Sequence, residues 1–206
     1  MGMPRAVALS LAALVGLGGD SSVYGDDDRQ VVVIVDDRAS VRPLVMDQAQ
    51  KQASRIYNQA GVKLVWRAAA DPTDAADGRV KLMAGFTVRA VIHARFRGAV
   101  DSASTLMMGA APATALKCGG PVHLFFDQIS AYASRTWHDT ALVFGTVAAH
   151  EIGHVLLRGG GHGEEGVMRA SWKPDDWERA AAGYLVFAPR ERETVRRRIA
   201  GCRDRD

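Results

Sequence analysis

His150 to Ala170 reads HEIGHVLLRGGGHGEEGVMRA, and this stretch decides how the rest of the chain is understood. The residues leading into it, Thr140 to Leu157, have the period of a long helix, and Gly159, Gly160 and Gly161 are placed to stop it. On that helix His150 and His154 are one turn apart, so their imidazoles lie one above the other and can reach a single tetrahedral ion. Glu151 follows the first histidine and can sit beside the ion without binding it. From there it can take a proton from a metal-activated water and pass it to a leaving amine, as general base and then acid.

Such a site needs a third protein ligand and an open fourth position for water. His162 is the first candidate, because glycines at 159 to 161 can adopt positive φ and turn the chain back toward the metal. Glu164 and Glu165 compete for the role, since a carboxylate also completes a zinc site. Asp175 and Asp176 stand further back. One Zn2+ per chain is the expected cofactor.

The segment from His150 to Ala170 resembles the zinc-binding region of the metzincin metallopeptidases, in which HExxHxxGxxH precedes a methionine-containing turn beneath the metal. It is more similar still to a group of exported bacterial proteins in which HExxH-x-LL is followed by a loop, a histidine and Gly-[Ile/Val]-Met-Arg. Val122 to Asp127 (VHLFFD) and the junction from Ile56-Tyr57 to Gly61-Val62 fit that group too. The likeness is dense over about twenty residues and diffuse over the remainder. It implies a zincin-like fold, a zinc metalloendopeptidase, His150, His154 and His162 as ligands, and Glu151 as general base. It makes Met168 the residue of the turn packed under the metal; the alternative is plain core filling. It also implies that the strand Val122 to Phe126 is a sheet edge holding an extended peptide. One departure stands out: Leu157 occupies the metzincin glycine position, and His162 falls two residues late.

The rest of the chain reads as one α+β unit. Val31 to Val35 is a continuous β-branched run, expected to be a strand buried on both faces. A helix opens at Pro43 and carries Val45, Ala49, Ala53, Ile56 and Ala60 at helical spacing, with Gly61 as its stop. Val62 to Trp66 is a second strand, so the order implies a crossover unit with parallel strands. After a polar turn at 71–78, Val88 to Phe96 is a third strand and Val122 to Phe126 a fourth. The Ala-, Gly-, Ser- and Thr-rich stretch 101–120 between them reads as irregular. Pro174 and Pro189 open two C-terminal helices, ending at Ala182 and Ala200. The expected architecture is a mixed sheet with a crossover helix, a long helix bearing the site, and C-terminal helices.

Composition fits this reading. The 206 residues are 48% hydrophobic and 24% charged, as in an ordinary globular domain. A net charge of +3 is too small to argue for nucleic acid or a membrane surface. The arginines between Arg190 and Arg205 are interrupted by acids, which reads as a solvated helix face. Residues 1–25 have the form of a signal peptide, with Arg5 before the apolar Ala6 to Leu17 and cleavage near Gly25 or Gly19; an uncleaved anchor is the alternative. The mature domain would then be 26–206, secreted or periplasmic, monomeric, without stable membrane association, and acting on a peptide or protein substrate. In an oxidising compartment the two cysteines, Cys118 and Cys202, suggest one disulfide, against two buried free thiols.

His93, His123 and His138 read as ordinary strand or loop histidines, since none has a partner at ligand spacing in sequence. Met107 and Met108 read as core, and Trp172 and Trp177 as core rather than a specificity pocket. Two further functions stay in play: a binding or structural protein that keeps its zinc, and a hydrolase of a non-peptide amide.

Overall fold

The computed structural model describes residues 29–69, 85–97, 107–112, 117–158 and 161–202. The signal-peptide reading of 1–25, the polar turn at 71–78, and Gly159 and Gly160 lie outside these residues. Five strands form one sheet: β1 (Gln30–Asp37), β2 (Lys63–Ala68), β3 (Phe86–His93), β4 (Gly109–Ala110) and β5 (Gly119–Phe125), in the order β2-β1-β3-β5-β4. All pairs are parallel except β4 with β5, so the sheet is mixed.

Helix α1 (Pro43–Asn58) carries the chain from β1 to β2, and Gly61, at φ +68°, turns it into the strand. Pro43 at the first helical turn suits the fixed proline φ, and Val45, Ala49, Ala53 and Ile56 form the buried stripe. Trp66 on β2 donates its indole N–H to the Ser54 hydroxyl of α1 at 2.9 Å, which places the helix on that face of the sheet. The face is built by Val31, Val33 and Val35, then Phe86, Val88, Ala90 and Ile92, then Val122 and Leu124, all buried.

β1 is therefore not buried on both faces. Its burial alternates, because α1 and the long helix α3 (Thr140–Leu156) both lie on the side of Val31, Val33 and Val35, and Val32 and Ile34 stay half-covered. Two further departures lie downstream. The stretch 101–120 includes β4 and the first two residues of β5, Gly119 and Gly120. Phe126, expected on a strand, begins helix α2 (Phe126–Thr136). Phe125 precedes that helix with no side-chain cap, so the aromatic pair gives no start signal.

α3 starts on Asp139, whose carboxylate accepts the Leu142 N–H at 2.9 Å. Fourteen of its seventeen residues are buried, so it threads the centre of the domain. The Tyr57 hydroxyl of α1 donates to the Ala149 carbonyl at 3.0 Å, fixing α1 to α3 one residue before His150.

Helices α4 (Pro174–Ala182) and α5 (Pro189–Ala200) complete the fold, each opened by its proline. The Asp176 and Glu191 carboxylates accept the Lys173 and Ala188 N–H groups at 2.9 and 2.8 Å and so close the two N-termini. α5 buries Val195 and Ile199, Arg198 donates to the Leu156 carbonyl at 3.3 Å, and Arg190, Arg196 and Arg197 form the exposed basic face. Its end is tied to the sheet by the disulfide Cys118–Cys202, whose partners are 84 residues apart. Closing a loop of that length is worth about 4 kcal/mol in the chain-entropy account.

Candidate metal centre

His150 lies in the buried middle of the domain and His154 one turn on, at the half-buried end of α3. The helix stops at Leu157, and the left-handed residue is Arg158, at φ +57°, rather than the one glycine of the run that the structure describes, Gly161. The chain then returns as the loop 161–169. The Gly163 N–H donates to the Met168 carbonyl at 2.8 Å, and the Val167 N–H donates to Val186 at 3.0 Å. This double anchor carries His162 over the end of α3.

One donor atom from each of His150, His154 and His162 lies within 4.8 Å of the other two. Nε2 of His150 and Nε2 of His154 are 3.0 Å apart. Two nitrogens at zinc distance on a tetrahedral ion stand about 3.3 Å apart, so the pair is spaced for one metal. The rings of His150 and His162 stack at 5.3 Å, and His154 meets both edge to face. Glu164 and Glu165 are exposed, and neither belongs to this group. Asp175 is exposed as well. Asp176 is buried but spoken for, paired with Arg169 at 3.2 Å and Arg179 at 3.7 Å.

Nδ1 of His150 lies 2.8 Å from the Val167 carbonyl oxygen. A carbonyl only accepts, so Nδ1 carries the proton and Nε2 offers its lone pair toward the other two rings. Burial, then the neighbouring imidazoles, pull the His150 pKa down to about 4, with the Val167 bond opposing. The ring is neutral at pH 7, the form a metal requires. These three histidines could hold a metal ion, and an imidazole-only donor set suits zinc.

Glu151, on the same helix as His150 and His154, lies against β4 at the sheet edge. It is 6% exposed, and burial pushes its carboxyl up to about 8. β4 closes over it: a Cβ at position 109 would sit 2.6 Å from Glu151 Cγ and 2.7 Å from Oε1. Gly109 is thus required for the carboxylate to lie where it does. Neither β4 nor this contact was visible in sequence, because a two-residue strand has no periodicity to read. The strand β5, expected as the sheet edge, pairs there with β4 through Gly109–Leu124 and Ala110–His123. β4 is the outermost strand.

Met168 is fully buried against α3, and a Cβ on Gly153 would lie 2.4 Å from its sulfur. The free position before His154 is therefore a glycine because Met168 packs against the helix there. Arg169, the next residue, pairs with buried Asp176 and locks this turn to α4. Trp177 is core, and Trp172 is half-buried against the core and meets the His150 ring at right angles at 5.3 Å. Met108 packs against the core, but Met107 is 44% exposed. His93 and His123 do find each other. β3 and β5 are parallel neighbours, and Nε2 of His93 lies 2.9 Å from Nδ1 of His123.

No family model matches the chain, and no curated protein matches it. Among solved structures, the crystal structure of archaemetzincin from Methanopyrus kandleri is similar at 15% identity and a TM-score of 0.46, over 91% of this chain and 99% of that one. Among the described residues no helix is long and apolar enough to cross a membrane.

Proposed function

We propose that this chain is a zinc-dependent metallopeptidase of the zincin type, exported and acting as a monomer on peptide or protein substrates. The observation that carries this reading is the convergence of His150, His154 and His162 beside a buried Glu151 that belongs to the same helix but not to the donor group. A site serving stability alone has no use for that carboxylate.

His150, His154 and His162 would hold the metal, and a zinc ion bound there would acidify water and polarise a peptide carbonyl. Glu151 moves the proton. Its carboxylate takes one from the attacking water and returns it to the leaving amine, and a carboxyl whose pKa lies near neutrality suits both transfers. The Val167 carbonyl keeps the His150 ring oriented, and Met168 supports the helix from below. An extended peptide laid against the outer edge of β4 would pass close to Glu151, with main-chain hydrogen bonds supplying affinity. The disulfide Cys118–Cys202 suits an oxidising compartment, which supports export.

The test is to purify the protein, determine its zinc stoichiometry and challenge it with a diverse peptide library beside Glu151→Ala. One equivalent of zinc in both, with cleavage by wild type only, is expected. Zinc in both with no cleaved peptide would replace the peptidase with a zinc-retaining binding protein.

A further inference from the structure

Behind the sheet, on the face of β5 turned away from α3, lies a pocket of about 810 Å³ that the proposed peptidase chemistry does not use. Its lining is cationic. Arg38, Arg95 and Arg97 stand around it, His93 and His123 form one wall, and Phe96 and Phe125 supply apolar surface. Among the described residues no acidic side chain lines it.

The arginines differ in how they are held. Arg38 is fixed by Asp36, whose Oδ2 accepts from its Nε at 3.1 Å and its Nη2 at 2.7 Å. The same oxygen accepts from Arg89 at 2.8 Å, so one carboxylate serves two guanidiniums. Among the described residues Arg95 and Arg97 have no ion-pair partner. The loop that carries them is clamped where the Phe96 N–H donates to the Asp127 carboxylate at 3.0 and 3.2 Å. Among the described residues Asp36 offsets one of Arg38 and Arg89, and Asp127 offsets one more, which leaves an excess of two positive charges.

The histidine pair adds a donor. Burial, then the nearby His93 and Arg38, hold the His123 imidazole below its ordinary range. One proton is shared between His93 Nε2 and His123 Nδ1. Whichever ring donates it, the pair then presents one outward N–H, on His123 Nε2 or on His93 Nδ1. Phe96 and Phe125 meet edge to face at 4.8 Å beside these donors.

We propose that this pocket binds a doubly charged phosphate ester. The net excess of two charges matches a phosphate dianion, and the guanidinium forks of Arg95 and Arg97 match the geometry of its oxygens. The volume far exceeds a bare phosphate, and the two phenyl rings offer an apolar surface to the organic part.

Phenyl phosphate, inorganic phosphate and phthalate are titrated calorimetrically into the whole chain and into Arg95→Ala and Arg97→Ala, whose melting curves should match wild type because both side chains are exposed. Phenyl phosphate is expected to bind below about 1 mM and to weaken about tenfold in each variant. Affinity unchanged in both variants overturns the proposal, since phosphate captured by a zinc ion on the other side of the sheet would behave in that way. Inorganic phosphate should bind more weakly; equal affinity overturns the ester assignment, and tighter phthalate overturns the phosphate class. Failure of the peptidase reading leaves each of these outcomes as it stands.

Discussion

The candidate metal centre has two halves of different make. His150 and Glu151 belong to a buried helix, held by the Tyr57 hydroxyl, by Met168 and by the Val167 carbonyl. His162 is exposed and belongs to a loop anchored by the Gly163–Met168 and Val167–Val186 backbone bonds. The helix half is set by α-helical spacing, which no neighbour needs to enforce. The loop half is set by tertiary contacts, above all the pair that Arg169 makes with Asp176. The contrast teaches that a donor set can be half local and half global, and the halves should fail differently.

The largest effect is expected from His150→Ala, which should lower zinc affinity about a thousandfold, against about a hundredfold for His162→Ala, measured by chelator competition. Equal losses would erase the distinction. Glu151→Gln should keep one equivalent of zinc and lower kcat/KM for any cleaved peptide by about 10²–10⁴. Asp176→Asn leaves Arg169 without its buried partner and should destabilise the protein by about 3 kcal/mol in denaturant unfolding. It should also release zinc more readily than an equally destabilising change in α1, because the loop half depends on it.

The pH dependence of the metal-free protein separates the groups on the helix itself. Burial depresses His150 to about 4, so the folded state binds fewer protons than the unfolded state up to about pH 6.5, and stability rises with pH there. Burial raises Glu151 to about 8, so the folded state binds more protons from about pH 4.5 upward, and its contribution is lost as pH rises through 8. The two oppose each other below pH 6.5. Above it Glu151 acts alone, and thermal unfolding should show about 2 kcal/mol lost between pH 6.5 and 8, absent in Glu151→Gln. The smallest effect is expected from Gly109→Ala. Its methyl must push Glu151 or β4 aside, so kcat should fall about tenfold with zinc stoichiometry unchanged.

The same division explains what could be read in the sequence. α3, α4 and α5 are legible because apolar periodicity and their flanking residues, Pro174, Pro189 and the glycines after Arg158, mark their limits. His150, Glu151 and His154 are legible for the same reason, since helical spacing alone brings them together. β4 is not, because two residues carry no period, and Gly109 acquires meaning only once it meets Glu151. α2 is hidden because Phe125 and Phe126 prolong a strand pattern across an uncapped helix start. The run Val31 to Val35 looks alike on both sides, and only the placement of α1 and α3 decides which side is covered. The pairing of His93 with His123 needs the register of two strands that are neighbours in space but 30 residues apart in the chain.

The central claim is that three imidazoles from the two halves share one ion, and zinc-edge X-ray absorption on the purified protein tests it most directly. Three nitrogen ligands of imidazole type at about 2.0–2.1 Å with one water oxygen are expected, falling to two imidazoles in His162→Ala. A spectrum with two imidazoles and carboxylate oxygens in the wild type, unchanged in His162→Ala, would contradict it.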